Sequence, residues 1–212
     1  MISDLIEYYK TNGSYVLEQV YRHFLISIYG VLLAAIVAIP LGFYLASKKK
    51  LANWVISLAN IIQTVPSLAM LAIVMGGFGL GPTTVIVTVF LFSILPILKN
   101  TYTAVSNVDE NIIDAAKGLG MNRFQLIRKI QFPLSLSVIM GGIKNSMVLG
   151  IGVAAIGTFI GAGGLGDIIS RGINVSDGAD IILAGAIPTA LMAVVIDMIL
   201  SFIENKLDKT KH

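Results

Sequence analysis

Cysteine is absent from the 212 residues, which excludes a disulfide scaffold, a thiolate metal site and a cysteine nucleophile together. Histidine is nearly absent, with two residues, and charge is scarce: Asp, Glu, Lys and Arg make up 13% of the chain, against about 25% in soluble domains. No Gly-x-x-x-x-Gly-Lys-Ser/Thr phosphate loop occurs, so the chain does not bind ATP by that route. What is plentiful is apolar: 56% of the residues, with 21 glycines besides and a mean hydropathy of +0.85. Surface that apolar all round needs a solvent that accepts it, and the bilayer is that solvent. A soluble enzyme domain and a disordered tail are both excluded. The fold class expected is all-α and integral to the membrane.

The spacing of the charges divides the chain into spans. Phe24 to Ala46 is a run of 23 residues without a charge, enough at about 1.5 Å per residue to cross a hydrocarbon core of about 30 Å. Leu51 to Leu98 is uncharged for 48 residues, about 72 Å as one helix, and so holds two crossings. The break between them is expected at Gly76-Gly77-Phe78-Gly79-Leu80-Gly81-Pro82, where glycine and proline density leaves backbone groups unpaired in lipid. After a polar stretch, residues 107–133, the apolar pattern resumes to about Ile160, interrupted by Lys144; a glycine-rich outer loop, 161–178, then precedes the last run. Five transmembrane helices are expected, at about 24–46, 52–76, 83–105, 137–160 and 180–203. Residues 1–18 carry Asp4, Glu7 and Glu18 and lack the basic start and small-residue cleavage site of a signal peptide, so they are expected to stay as an extracellular N-terminal segment.

Lysine and arginine orient the spans. One side holds Lys48, Lys49, Lys50, Lys117, Arg123, Arg128, Lys129, Lys206, Lys209 and Lys211; the other holds Lys10, Arg22 and Arg171. The positive-inside rule places the first set in the cytoplasm, with the N-terminus outside and a cytoplasmic tail at 204–212. The basic pI of 9.1 then reports topology, and no nucleic-acid partner is expected. The segment Gly161 to Gly166 matches Gly-x-Gly-x-x-Gly, with Asp180 where a dinucleotide site puts its acid. The match is rejected, because that fingerprint belongs to a strand-turn-helix unit and here it ends a span.

The polar stretch 107–133 has the grammar of two short helices. Asp109, Glu110 and Asn111 supply capping and negative groups for a first helix; Gly120 ends it and Asn122 starts a second, which Pro133 is expected to close. Ala115 and Ala116 leave a smooth surface for close approach of another protein. From the residues alone, an ordinary amphipathic connector fits equally well.

The string Asp114-Ala115-Ala116-Lys117-Gly118-Leu119-Gly120, followed after nine residues by Ile130-Gln131-Phe132-Pro133, resembles the Glu-Ala-Ala loop of type I ABC importer permeases. Asp114 stands for the usual Glu and Phe132 for Leu, keeping charge and apolarity. Ile62-Gln63-Thr64-Val65-Pro66-Ser67, Leu95 to Tyr102 and Ile156 to Asp167 resemble the osmoprotectant branch, which carries glycine betaine, carnitine and choline; the likeness covers about residues 19 to 203. The resemblance implies a permease subunit that binds no cofactor. Its partners would be a cytoplasmic ATPase dimer that uses the ATP, a second permease chain, related or identical, and an extracellular substrate-binding protein. It implies that Asp114, Ala115, Ala116, Gly118, Gly120, Arg123 and Arg128 couple to that ATPase. A permease for another small solute, such as an amino acid or methionine, is the alternative within the class; an ATPase-independent channel or scaffold is the alternative outside it.

Inside the spans, Lys99 lies near the cytoplasmic end of its helix and is expected to snorkel. Lys144 and Asp197 lie deeper, about 16 and 10 Å from the inner ends, and are expected to pair between spans four and five. Gly142, Ser146, Gly150 and Ala154 form an expected packing seam. A quaternary ammonium ion donates no hydrogen bonds and is held over aromatic faces. Tyr29, Phe90 and Phe92, with Lys144, Asn145 and Asp197, are therefore the candidate lining of a translocation path.

Overall fold

The computed structural model describes residues 2–207, so Lys209 and Lys211 and the end of the expected tail lie outside the described residues. Chain order is α1 (Ile2–Ala46), α2 (Lys49–Thr64), α3 (Ser67–Phe78), α4 (Pro82–Ser106), α5 (Glu110–Gly118) and α6 (Arg123–Leu126). A π-helical turn (Ile127–Gln131) leads into α7 (Phe132–Ile156), and a 3-10 turn (Gly157–Ile160) precedes α8 (Leu165–Ile173) and α9 (Ala179–Leu207). Among the described residues, four helical stretches are singly long and apolar enough to cross a membrane, and the bent pair α2–α3 passes that test only when its two helices are taken together, giving up to five. The all-helical reading stands, with four to five candidate spans.

Four boundaries differ from expectation. Span one is the second part of a longer helix, because the segment before residue 24 is helical too, with a kink at Asn12 (φ −114°, ψ 15°). Span two, expected as one helix over 52–76, is two helices bent by 101°. The cause was visible in Val65-Pro66. A residue before proline is driven out of the α region, and Val65 has φ −67°, ψ 128°, with Pro66 following at ψ 136°. The break survives in an apolar setting because it packs on α4, where the Gln63 amide donates to the Phe92 carbonyl at 3.4 Å.

Pro133 does not end a helix. It sits in the first turn of α7 directly after the π turn, whose wider winding absorbs the missing N–H and joins α6 to α7 into one path from Arg123 to Ile160. The glycine-rich outer segment is not a plain loop either, since α8 lies within it.

The central helix is α4, and its neighbours reach it through residues without bulk. A Cβ added to Gly30 of α1 would lie 2.5 Å from Val89, and one added to Gly142 of α7 would lie 2.9 Å from the Pro96 carbonyl. The Ser146 hydroxyl donates to the Ser93 carbonyl of α4 at 3.2 Å. The expected seam Gly142, Ser146, Gly150 and Ala154 is buried throughout, and close backbone approach with interhelical hydrogen bonds is how spans associate where apolar burial offers no gain over lipid. Two buried threonines of α4 turn their hydroxyls to their own helix: Thr88 donates to the Thr84 carbonyl at 2.8 Å and Thr101 to that of Ile97 at 2.7 Å.

Candidate functional site

The loop between α4 and α7 is built almost entirely from local hydrogen bonds. Asp109 caps α5 by accepting the Asn111 N–H at 2.8 Å, and Gly120 turns the chain at φ +79°, a conformation other residues adopt at a cost. Asn122 then starts α6 with a full capping box: its side chain accepts the Gln125 N–H, and the Gln125 side chain accepts the Asn122 N–H, both at 2.9 Å. Asp114 pairs with Lys117 at 2.9 Å on the exposed surface of α5. Ala115 is exposed, but Ala116 is buried within the chain at 4%, so the smooth surface expected from both alanines is offered by one. Gly118 and Arg128 are exposed, and Arg123 donates to the Ser47 hydroxyl at 3.2 Å, tying the loop to the end of span one. Leu119 and Phe124 are the conspicuous members, 81% and 69% exposed. They flank Gly120 on a loop outside the bundle, where large apolar side chains mark a place for a partner.

Between α7 and α9 lies a polar cluster. The Lys144 ammonium is 3.7 Å from Asp197 and 3.3 Å from Glu204, and Ser137 donates to the other Glu204 oxygen at 3.2 Å. The expected pair is present, but the nearer partner was missed. Its signal was readable: 137 and 144 are seven apart on one helix, as are 197 and 204 on the other, so each pair shares a face of its helix. Asp197 is the more exposed carboxylate, 48% against 24% for Glu204, so Glu204 is the principal counter-ion.

The other path candidates do not join this cluster. Phe92 is buried in the core and Phe90 packs at its edge. Tyr29 is exposed on α1, and Asn145 is exposed beside Lys144, where successive helical residues point about 100° apart. Lys99 is exposed, as snorkelling requires.

At the far end of the bundle, α1 grips the start of α8. The Gln19 side chain accepts the Gly164 N–H at 2.8 Å, and His23 Nδ1 accepts that of Leu165 at 3.2 Å. With Nδ1 accepting, the hydrogen belongs on Nε2, which donates to the Ile151 carbonyl of α7 at 3.0 Å. Above them, ahead of span one, the Tyr15 hydroxyl donates to Asp167, whose carboxylate also holds Arg171 at 2.9 Å. Burial and that hydrogen bond push the Tyr15 phenol up to about 12, so it stays a neutral donor. Tyr15, Gln19 and His23 recur every four residues, a polar stripe that the sequence displayed.

Bundle, broken span and loop together have known counterparts. A family model described as "Binding-protein-dependent transport system inner membrane component" matches residues 38–210. The chain belongs to this family. As a component of such transport systems, it is 59% identical over 211 residues to the carnitine transport permease protein OpuCD of Listeria monocytogenes, covering 100% of this chain and 95% of that one. It is 52% identical over 211 residues to the glycine betaine/carnitine/choline transport system permease protein OpuCD of Bacillus subtilis, covering 100% and 92%. In three dimensions it aligns with a chain of the MetNI methionine ABC transporter in an inward-facing conformation, with a TM-score of 0.81 and 19% identity, over 91% of this chain and 96% of that one. That last likeness carries the fold alone.

Proposed function

We propose that the chain is the permease subunit of an ATP-driven importer for quaternary-ammonium osmoprotectants such as carnitine, glycine betaine and choline. It forms the path with a second permease chain and works by alternating access. The observation that carries this reading is the loop at 107–133, where an Ala115/Gly120 turn is flanked by exposed Leu119 and Phe124. This surface suits the groove of a cytoplasmic ATPase, with Asp114, Arg123 and Arg128 as polar contacts. Loop and C-terminus then face the cytoplasm and the N-terminus faces outward, consistent with the lysine and arginine asymmetry. ATP is bound and hydrolysed on the partner, and an extracellular binding protein delivers the solute. Phe92 is buried in the core while Tyr29 is exposed on α1, and this separation supports assigning selectivity mainly to that protein.

The test is uptake of labelled carnitine, glycine betaine and choline by the assembled system, with and without ATP, alongside co-purification of the ATPase. ATP-dependent uptake of at least one of them, lost with the ATPase on Ala115→Trp, is expected. ATP-independent flux through the isolated chain would instead establish a channel, and ATP-driven uptake of methionine alone would move the chain to another solute class.

A further inference from the structure

Where span one meets the coupling loop, the bundle is not closed. A groove of about 400 Å³ runs between the last turns of α1 and the start of the α6–α7 path, floored by Ile39, Pro40 and Phe43 and walled by Ile127 and Phe132. Its two facing phenyl rings, Phe43 and Phe132, stack with centroids 6.1 Å apart. The floor belongs to the end of a membrane span, so it lies at the edge of the hydrocarbon. The mouth is the opposite in character. Arg123 lines it, Lys48 stands beside it with its ammonium on the Tyr44 hydroxyl at 2.7 Å, and Lys49 and Lys50 follow at the start of α2, whose first turn has no acidic residue. Arg128 and Lys129 lie one to two turns beyond Arg123 on the same helical path and are exposed. Among the described residues, none of the ion pairs includes any of these six cations.

We infer that this groove binds an anionic phospholipid of the adjoining leaflet, with an acyl chain packed along Ile39, Phe43 and Phe132 and the phosphate on Lys48 and its basic neighbours Lys49 and Lys50. Charge complementarity selects the occupant. A rim of cations without carboxylates favours an anion, and a floor at hydrocarbon level favours one that carries a chain; a basic pocket beside a span on the cytoplasmic side meets both conditions in an anionic lipid. The occupant bridges α1 and α6, which are otherwise joined there by the Arg123–Ser47 hydrogen bond, so it braces the coupling helix against span one. The cytoplasmic leaflet is named on the strength of the proposed orientation; the groove and its charge do not depend on it.

The experiment places the full importer in nanodiscs of phosphatidylcholine containing a minority of phosphatidylglycerol, and measures by spin-labelled lipid which headgroup is immobilised on the protein. Labelled phosphatidylglycerol is expected to be enriched over labelled phosphatidylcholine by about fivefold or more, since each basic residue near the surface contributes about that factor. The enrichment should fall to parity in the Lys48→Gln/Lys49→Gln/Lys50→Gln variant. Ile39→Trp, which fills the floor and leaves the charges in place, should displace the immobilised lipid as well. Equal immobilisation of the two lipids by the unaltered protein would overturn the inference, as would enrichment unchanged by both variants. Enrichment present in the isolated permease but abolished by the ATPase would give the groove to the ATPase instead. The readout does not use transport, so a chain that bound phosphatidylglycerol selectively but failed to retain an ATPase would sink the coupling assignment and leave this one standing.

Discussion

The two ends of the bundle satisfy their polar groups in opposite ways. At the α8 end, bonds cross the fold: Gln19 and His23 on α1 hold backbone N–H groups of residues 164 and 165, and His23 also reaches Ile151 on α7. At the loop end, apart from Arg123 to Ser47, bonds are short-range, Asp109 to Asn111, Asn122 with Gln125, and Asp114 to Lys117, while Leu119 and Phe124 remain exposed. The first end is tied across the fold by buried groups, and the second is held locally. Changes at the first should therefore act on folding, and changes at the second on function with little effect on folding.

The largest effect is expected at Gly166. A Cβ there would lie 1.9 Å from the Ala155 carbonyl oxygen, and backbone cannot yield as a side chain does. Gly166→Leu should cost about 3 kcal/mol or more, read as loss of monodisperse protein in detergent. Normal yield and melting temperature would mean that α8 is not tightly seated. His23→Ala comes next. It strands the Leu165 N–H, a loss of about 1 to 3 kcal/mol, and His23→Gln should recover part of it in the same melting assay.

A smaller effect is expected between α7 and α9. In double-mutant cycles on thermal stability, Lys144→Ala with Glu204→Gln should give a coupling of about 1 to 2 kcal/mol, and Lys144→Ala with Asp197→Asn less, because that carboxylate stands 3.7 Å from the ammonium against 3.3 Å for Glu204. The reverse order would restore Asp197 as the principal partner. The change in stability at the loop is expected to stay below those at Gly166 and His23, since Gly120→Leu must hold φ near +79° but meets no neighbour within 4 Å. The strain costs about 1 to 2 kcal/mol, while ATP-driven uptake should be lost. Uptake unaltered in this variant would remove the loop from the coupling role, and a collapse in stability would erase the contrast between the two ends.

Much of this was legible along the chain because it depends on local rules. Asn122 and Gln125 three residues apart write a capping box, and Gly120 writes a left-handed turn, without help from the rest of the fold. Val65-Pro66 wrote the break in span two just as plainly, but the continuous lack of charge across it outweighed the proline. Pro133 misled in the other direction, since proline stops a helix from within and is welcome in a first turn. Whether it stands in one or the other depends on what precedes it, here a π turn that carries the path through.

The sequence by itself determined the solvent, the number of spans, the caps of the loop and the glycine seam of α7, because apolar run length, capping chemistry and side-chain size are properties of residues a few positions apart. Only the tertiary structure decided that Glu204 outranks Asp197 as the partner of Lys144, that Ala116 is buried, and that Gln19 and His23 close the start of α8. Each of these depends on which helices lie side by side and how they are rotated, and partners as far apart as residues 23 and 165 are not coupled by any local period.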